Sequence, residues 1–350
     1  MTSLTREINA EDALQLLQKK MTTLVDVRAE IEFAKGALPY AQNIPILTTA
    51  ERHQVGTCYK QKGQEAAIQL GHRLVAPFKT ERVSAWAQHA GSDGVLVTCW
   101  RGGLRSQIAC TWLSEVGVPS LRVRGGYKAM RNLLLGRLGN LPPFRILAGL
   151  TGSGKTELLH AIPRNTVDLE ALAQHRGSTF GGMGPDHPQP AQASFENAVL
   201  FHLPRSGPVY IEDESAFIGS VSLPQEWVSH ARIQDCIWLD SPLQDRVRRI
   251  WAEYVMLPLQ KGVPREALLD HLIHRLVRLE RRLGGARTQD LIANMNSAFN
   301  QPDHWQGHAW IGQLLAEYYD PRYHFAFERS RKKVVFQGDF QQCLQWIQSN

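Results

Sequence analysis

The chain of 350 residues is poor in cysteine and has no long apolar run and no block of a single charge sign. Each shortage excludes something. Its five cysteines (Cys58, Cys99, Cys110, Cys236 and Cys343) are odd in number and form no C-x-x-C pair, which argues against a disulfide framework and against a zinc site. No apolar stretch approaches the roughly 18 residues of a membrane span, so no membrane partner is expected. The opening MTSLTREINAEDALQLLQKK scatters its charges along a helical pattern instead of the basic-then-apolar order of a secretory signal, and a cytoplasmic location is expected. Repeats and low-complexity tracts are also missing, and 43% hydrophobic with 21% charged residues is the composition of a chain that folds throughout.

What is present divides into two halves. At this length two domains are expected, and the Gly- and Pro-bearing stretch LLLGRLGNLPPFR (133–145) separates a first domain over 1–137 from a second over 143–350. In the first, LVDVR (24–28), the turn and strand of GALPYAQNIPI (36–46), GVLVTC (94–99) and LRVRGGY (121–127) read as strands. LRSQIACTWLSEVG (104–117) reads as a helix ended by glycine. Strands alternating with helices give an α/β fold. GVLVTC is apolar on both faces, as in the middle of a covered parallel sheet.

Cys99 ends that central strand, where such folds place ligands. Trp100, Arg101, Gly102, Gly103 and Leu104 follow, then Arg105. The two glycines let successive N–H groups turn inward as an anion nest. The helix that follows adds its positive end, and Arg105 adds a fork suited to oxyanions. All of these favour thiolate over thiol, so Cys99 is the expected nucleophile. A buried cysteine before a glycine turn is the plainer reading, and it leaves Arg101 and Arg105 unexplained. Cys110, Cys236 and Cys343 lie among apolar neighbours and read as buried structural thiols.

The second half opens on FRILAGLTGSGKTELLHAI. Gly149, Gly154, Lys155 and Thr156 complete G-x-x-x-x-G-K-[ST] between a strand and a helix, the context the phosphate loop requires. Backbone N–H groups across Thr151, Gly152, Ser153, Gly154, Lys155 and Thr156 would cradle a di- or triphosphate. Lys155 would reach its terminal groups and Thr156 would hold Mg²⁺. GPVYIEDES (207–215) reads as the companion strand ending in Glu212, Asp213 and Glu214, with Asp213 assigned as the metal carboxylate. NTVDLEALAQHRGSTFGGMG (165–184) reads as a strand bearing Asp168 and Glu170, then a glycine-rich loop with His175 and Arg176 that grips substrate or serves as a linker. Net charge is +6, and its placement matters more than its size. Arg275, Arg278, Arg281, Arg282 and Arg287 fall on what reads as one helix and its end, after RVRRI (246–250) supplies three more arginines. Either run alone is an ordinary solvated face; together they favour a polyanionic partner.

Two resemblances follow from these residues. LVDVRAEIEFAKGALPYAQNIPI, VTCWRGGLRS and LRVRGGYKAMR resemble a rhodanese domain, whose commonest loop has four residues between cysteine and arginine, whereas W-R-G-G-L makes five. The longer loop resembles the phosphatase branch of that fold, so phosphate and chalcogen chemistry both stay open on loop geometry. A rhodanese-like domain followed by a P-loop, kinase-like α/β domain with helical, basic additions resembles the tRNA 2-selenouridine synthases. VGTCYKQKGQEAAIQLGHRLV (55–75), DLEALAQHRGSTFG, IEDESAFIG and YYDPRY add to the match. The resemblance implies a tRNA anticodon region as partner, with geranyl diphosphate and selenophosphate as substrates, Mg²⁺ as an optional ion and no tightly bound cofactor. It implies that Lys155 and the phosphate loop serve geranyl transfer, that Cys99 and its loop serve the selenium step, and that the five arginines hold RNA. The apolar residues of 55–75 and Phe180 are the candidates for the geranyl chain. An ATP-dependent tRNA sulfurtransferase or kinase, and a phosphatase-like anion-binding module, are the alternatives.

Overall fold

The computed structural model describes residues 4–177, 180, 188–204, 206–300 and 309–350. They form two units, one of Met1–Asn140 with Pro190–His202, the other of Leu141–Gln189 with Leu203–Asn350. Five parallel strands build the sheet of the first unit: β1 (Thr5–Ile8), β2 (Leu24–Asp26), β3 (Ala41–Asn43), β4 (Val95–Thr98) and β5 (Ser120–Val123), in the order β1-β5-β4-β2-β3. β4 is the middle strand, with Val95 opposite Ser120 of β5 and Leu96 opposite Leu24 of β2. All four of its residues are buried, as its unbroken apolar run requires. Val25, Val27, Trp86, Cys110 and Leu113 fill the core against it. Cys99 follows β4 directly, which fixes the start of its loop at the carboxyl edge of the sheet.

Thr49–Val75 is helical apart from Gly63, whose φ is +83°. A straight helix would hold Val55 and Gly71 about 24 Å apart at 1.5 Å per residue. A Cβ on Gly71 would instead lie 3.8 Å from Val55 Cγ2. The segment therefore doubles back as a helical hairpin, and the reversal uses a backbone conformation that favours glycine.

Arg28 and Asp26 are both fully buried in this unit. Arg28 Nε donates to Asp26 Oδ1 at 3.0 Å and Oδ2 at 2.8 Å, and its Nη2 donates to Gly36 O at 2.8 Å. Its guanidinium lies 3.9 Å from the centre of the Tyr127 ring, which stacks on Trp100. The helix Gln192–His202 adds Asn197, fully buried, which donates to Ala37 O at 2.8 Å and to the Tyr127 hydroxyl at 3.1 Å.

The second unit contains β6 (Phe144–Ala148), β7 (Thr166–Val167), β8 (Val209–Glu212), β9 (Phe217–Ile218), β10 (Val221–Ser222), β11 (Asp235–Leu239) and β12 (Lys333–Gly338). β9 and β10 form a small antiparallel pair, and the others make a parallel sheet in the order β12-β11-β6-β8-β7. Leu147, Leu158, Leu159, Ile237 and Leu239 form the core between this sheet and its helices. A separate helical core joins Trp251, Leu272, Leu276, Met295, Phe299, Trp310 and Leu314. No helix among the described residues is long and apolar enough to cross a membrane.

Two local expectations change. The strand expected to carry Asp168 and Glu170 stops at Val167, because Asp168 Oδ1 accepts the Ala171 N–H at 2.8 Å and caps a helix, Leu169–Ala173. The basic run 271–287 is not one helix and its end. It spans three, Arg265–Val277, Glu280–Leu283 and Gly285–Asn300. The Leu279 N–H closes on Leu276 O, ending the first, and Gly284 at φ +88° separates the others.

Asp26→Asn leaves the buried Arg28 charge unpaired, and breaking a buried pair in this way costs on the order of 3–5 kcal/mol. Urea denaturation of the variant should show that loss. A change below about 1 kcal/mol, the size of an ordinary substitution, would contradict the role given to the pair.

Candidate functional site

Each unit presents a loop in which most carbonyls are held and most N–H groups are not. In the first unit, Cys99 O accepts from Tyr127 N at 2.9 Å and Trp100 O from Lys128 N at 3.0 Å. Gly102 O accepts from Arg122 Nη1 at 2.8 Å, and Gly103 O from the Ser106 hydroxyl at 3.1 Å. Among the described residues, no backbone N–H from Trp100 to Ser106 donates to a protein acceptor. The Gly125–Gly126 turn packs onto this loop so closely that a Cβ on Gly126 would fall 2.3 Å from Cys99 O and 2.4 Å from Gly102 N.

Cys99 itself is buried, with Sγ 3.3 Å from the Ser106 hydroxyl. Trp100, Arg101, Gly103 and Leu104 are exposed around it. The Arg105 fork is engaged by Glu32, at 2.5 and 3.2 Å. Burial works to raise the Glu32 pKa, and the hydrogen bonds and charge of Arg105, with the charge of Arg52, outweigh it and hold the carboxyl below the usual range. Glu32 was not signalled by any motif around Cys99. Burial pushes Cys110, Cys236 and Cys343 up to about 11, 12 and 11, so these thiols stay protonated.

In the second unit the strand β6 ends at Ala148 and the helix Lys155–Ala161 begins beyond the phosphate loop. Lys155 Nζ donates to Gly149 O at 2.9 Å and Leu150 O at 3.4 Å. Arg246 Nη1 donates to Thr151 O at 3.2 Å and Arg249 Nη1 to Gly152 O at 2.5 Å. Asp320 holds Arg246 at 2.7 and 2.8 Å, and Glu157 holds Arg249 at 3.0 and 3.1 Å. Two of the three RVRRI arginines therefore brace the loop. Among the described residues, the N–H groups of Thr151, Gly152, Gly154, Lys155 and Thr156 donate to no protein acceptor, while that of Ser153 turns back to Leu150 O at 3.0 Å.

The companion strand delivers Glu212, and not Asp213, to the loop. Thr156 Oγ1 donates to Glu212 Oε1 at 2.7 Å, and Glu212 Oε2 is buried without a partner. Asp213 is tied elsewhere: it accepts from Lys332 Nζ and, at 2.9 Å, from the Tyr323 hydroxyl, which in turn accepts the Gly149 N–H at 3.0 Å. Tyr323 and Asp320 belong to YYDPRY, so that stretch supplies one anchor to each side of the loop. Glu170 and Glu214 complete an acidic cluster. Burial, then the charges of Glu212 and Glu214, push Glu170 up to about 9, with Lys155 pulling it down. Burial, then Glu212, push Glu214 up to about 8. Among the described residues no three His, Cys, Asp or Glu side chains converge as a metal cage.

The loop opens on a cavity of about 710 Å³ whose far wall is apolar: Phe180, Ile250, Met256, Leu257, Trp310, Ile311 and Leu314. Two π-turns, Ala252–Met256 and Leu315–Tyr319, aim Tyr254, Met256 and Leu315 into it. Such turns recur at functional sites. Leu268, Leu272, Leu276 and Leu279 recur at helical spacing and belong to the core of the helical layer that builds this wall. The expected gripping loop lies in part outside the described residues, at 178–179 and 181–187. Its Arg176 pairs with Glu253 at 3.0 Å.

Of the RNA-binding candidates, Arg278, Arg281, Arg282 and Arg287 are exposed and Arg275 is half-buried. Arg282 donates to the Tyr318 hydroxyl at 3.1 Å, and Arg287 lies 3.4 Å from Glu317. Burial, then the charges of Arg275, His274 and Arg278, hold the His271 pKa down.

Comparison with known proteins gives two family matches. Residues 9–133 match the rhodanese-like domain, and residues 142–350 match the AAA domain of tRNA 2-selenouridine synthase. The tRNA 2-selenouridine synthase of Cupriavidus necator is 41% identical over 93% of this chain and 94% of its own length. Those of Shewanella frigidimarina and Azotobacter vinelandii are 41% and 42% identical, each over 93% of both chains.

The acidic cluster sets a pH dependence. A carboxyl at about 9 in the fold and 4.5 outside it holds its proton more tightly when folded, so its stabilisation is full below pH 4.5 and is lost as pH rises towards 9. Glu170→Gln removes that titration. In calorimetry at pH 5, 7 and 9 the variant should gain Tm over the natural protein progressively with pH; parallel curves would contradict the cluster.

Proposed function

The chain belongs to the tRNA 2-selenouridine synthase family, and from that premise we propose that it is a transferase acting on tRNA, replacing the sulfur of a wobble 2-thiouridine by selenium. In this reading the exchange has two steps, S-geranylation from geranyl diphosphate and selenation from selenophosphate. The observation that carries it is the phosphate loop opening onto an apolar wall in one cavity. A diphosphate head with a hydrocarbon tail has that polarity.

A thiocarbonyl sulfur leaves C2 poorly, and alkylation makes it a better leaving group. The sulfur attacks C1 of the geranyl group, the C1–O bond breaks, and diphosphate departs with the electron pair. The open N–H groups of Thr151, Gly152, Gly154, Lys155 and Thr156 hold the diphosphate. Lys155 exchanges the Gly149 and Leu150 carbonyls for a phosphate oxygen and stabilises the charge that builds there. The residues also fit a magnesium ion, because Glu212 Oε2 is buried without a partner beside Thr156. Thr156 and Glu212 would hold it, one or two protein oxygens beside phosphate being the usual arrangement, and the ion would neutralise charge on the leaving group.

In the second step selenium of selenophosphate adds to C2. The C2–S bond breaks, geranylthiol leaves with the electron pair and takes a proton, and water accepts the phosphoryl group as the P–Se bond is cleaved. The N–H groups from Trp100 to Arg105 bind the phosphate part, close to Cys99. Arg275, Arg278, Arg281, Arg282 and Arg287 hold the RNA backbone while the target base leaves its stack.

Mass spectrometry of nucleosides from 2-thiouridine tRNA, incubated with geranyl diphosphate and then selenophosphate, tests the division. Lys155→Ala should cut the geranylated nucleoside by on the order of 100-fold, the loss typical of one stabilising donor. Cys99→Ser should let that nucleoside accumulate without selenium. Loss of geranylation in a folded Cys99→Ser protein would overturn the assignment.

A further inference from the structure

The helix Asp320–Glu328 has no fully buried residue, yet it carries a tyrosine and two phenylalanines. One of its faces is accounted for. Asp320 holds Arg246 and Tyr323 accepts the Gly149 N–H, so both brace the phosphate loop. Phe327, one turn beyond Tyr323, stacks on it at 6.2 Å and packs against Trp238 at 4.9 Å. The opposite face is not used by the chemistry above. Arg322, Phe325 and Arg329 succeed one another at helical spacing, three and then four residues apart, which sets them in one row. All three are exposed, Phe325 by 61%. The Arg329 guanidinium lies 5.2 Å from the centre of the Phe325 ring, and that of Arg322 lies 5.3 Å from the centre of the Tyr318 ring. The Tyr318 hydroxyl accepts from Arg282 at 3.1 Å. Through that tyrosine the row continues the arginine surface of residues 275–287.

A single ring set between guanidinium groups suits a partner that is both anionic and flat. An apolar protein face would bury the two arginines without pairing them, which costs stability. Nucleic acid brings phosphates for the arginines and a base for the ring. In a duplex the bases are stacked on one another, so only an unpaired nucleotide can lay its base on Phe325. Resting on the reading that this chain acts on tRNA, we infer that Phe325 is a stacking post for an unpaired base of the anticodon loop, with Arg322 and Arg329 on the flanking phosphates. The base it holds is not the one modified, because Phe325 faces away from Tyr323 and the phosphate loop. Holding a neighbour in this way breaks the stack of the loop and lowers the cost of extruding the target base. The row also selects a loop over a paired stem.

Fluorescence anisotropy with two RNAs tests this: an anticodon stem-loop carrying 2-thiouridine, and a blunt duplex of the same length. Phe325→Ala should raise the Kd for the stem-loop about tenfold, the order of one lost base stack, and leave the Kd for the duplex unchanged. Phe325→Tyr should keep the natural affinity. Arg322→Gln and Arg329→Gln should each lower the slope of log affinity against log salt on the stem-loop by about 0.7, one phosphate contact on a single strand. Alanine is the best helix former and the position is exposed, so circular dichroism should find Phe325→Ala folded. An unchanged stem-loop Kd in that variant, or an equal loss on stem-loop and duplex, overturns the inference. So does weaker binding of the variant to vesicles of equal phosphatidylglycerol and phosphatidylcholine with its RNA affinity intact, which would assign the row to a lipid surface. The titrations need neither donor. Stem-loop binding through Phe325 without any geranylated or selenated nucleoside would sink the chemistry proposed above and leave the stacking post standing. Nucleoside formation with no effect of Phe325→Ala on binding would sink the stacking post alone.

Discussion

A loop can offer its N–H groups to an anion only if its carbonyls are turned away and satisfied, and both halves of this chain are organised around that requirement. In the second unit the carbonyls of residues 149 to 152 are taken by three cations: Lys155, Arg246 and Arg249. In the first unit those of Cys99, Trp100, Gly102 and Gly103 are taken by the N–H groups of Tyr127, Lys128 and Gln107, the hydroxyls of Thr98 and Ser106, and Arg122. The first solution sets three cations on the loop's carbonyls and the second sets one, Arg122. That difference suits a step in which a leaving diphosphate gains charge and a step in which a phosphate-bearing donor is only held.

The parts legible in the sequence are those that sit within one stretch of chain. GLTGSGKT carries its strand, loop and helix together, and GVLVTCWRGGLRS carries its strand end, nest and helix start. The braces are illegible because they come from far away. Arg246 lies 95 residues from the carbonyl it holds, and Tyr323 lies 174 from the Gly149 N–H. The same distance explains why Asp213 reads as the metal carboxylate: in IEDES three acids compete, and the choice is made by Lys332 and Tyr323, which occupy Asp213 and leave Glu212 facing Thr156. Asp168 errs for a local reason, since a carboxylate after a short strand caps a helix as readily as it extends the strand.

The acidic cluster beside Lys155 is costly in the absence of a cation or proton. Burial raises the pKa of Glu170, Glu212 and Glu214, the charge of Glu212 raises Glu170 and Glu214 further, and Lys155 opposes the rise at all three. Carboxylates that merely support a fold are seldom crowded in this way, because a buried charge without a partner costs stability. Crowding of this kind accumulates where a function needs it. Here the charge that would relieve it also belongs to the proposed chemistry: a divalent ion brought beside the diphosphate, or a proton.

Apolar surface beside an anion loop occurs in both units, built in unrelated ways. In the second it comes from a helical layer whose π-turns point side chains at the phosphate loop. In the first it comes from a hairpin reversed at one glycine. A site for nucleotide alone would have no use for the apolar wall in the second unit, and a site for selenophosphate alone would have none for the floor in the first. The property common to both is an anion loop with apolar surface beside it, and the same pairing is reached by two unrelated pieces of backbone.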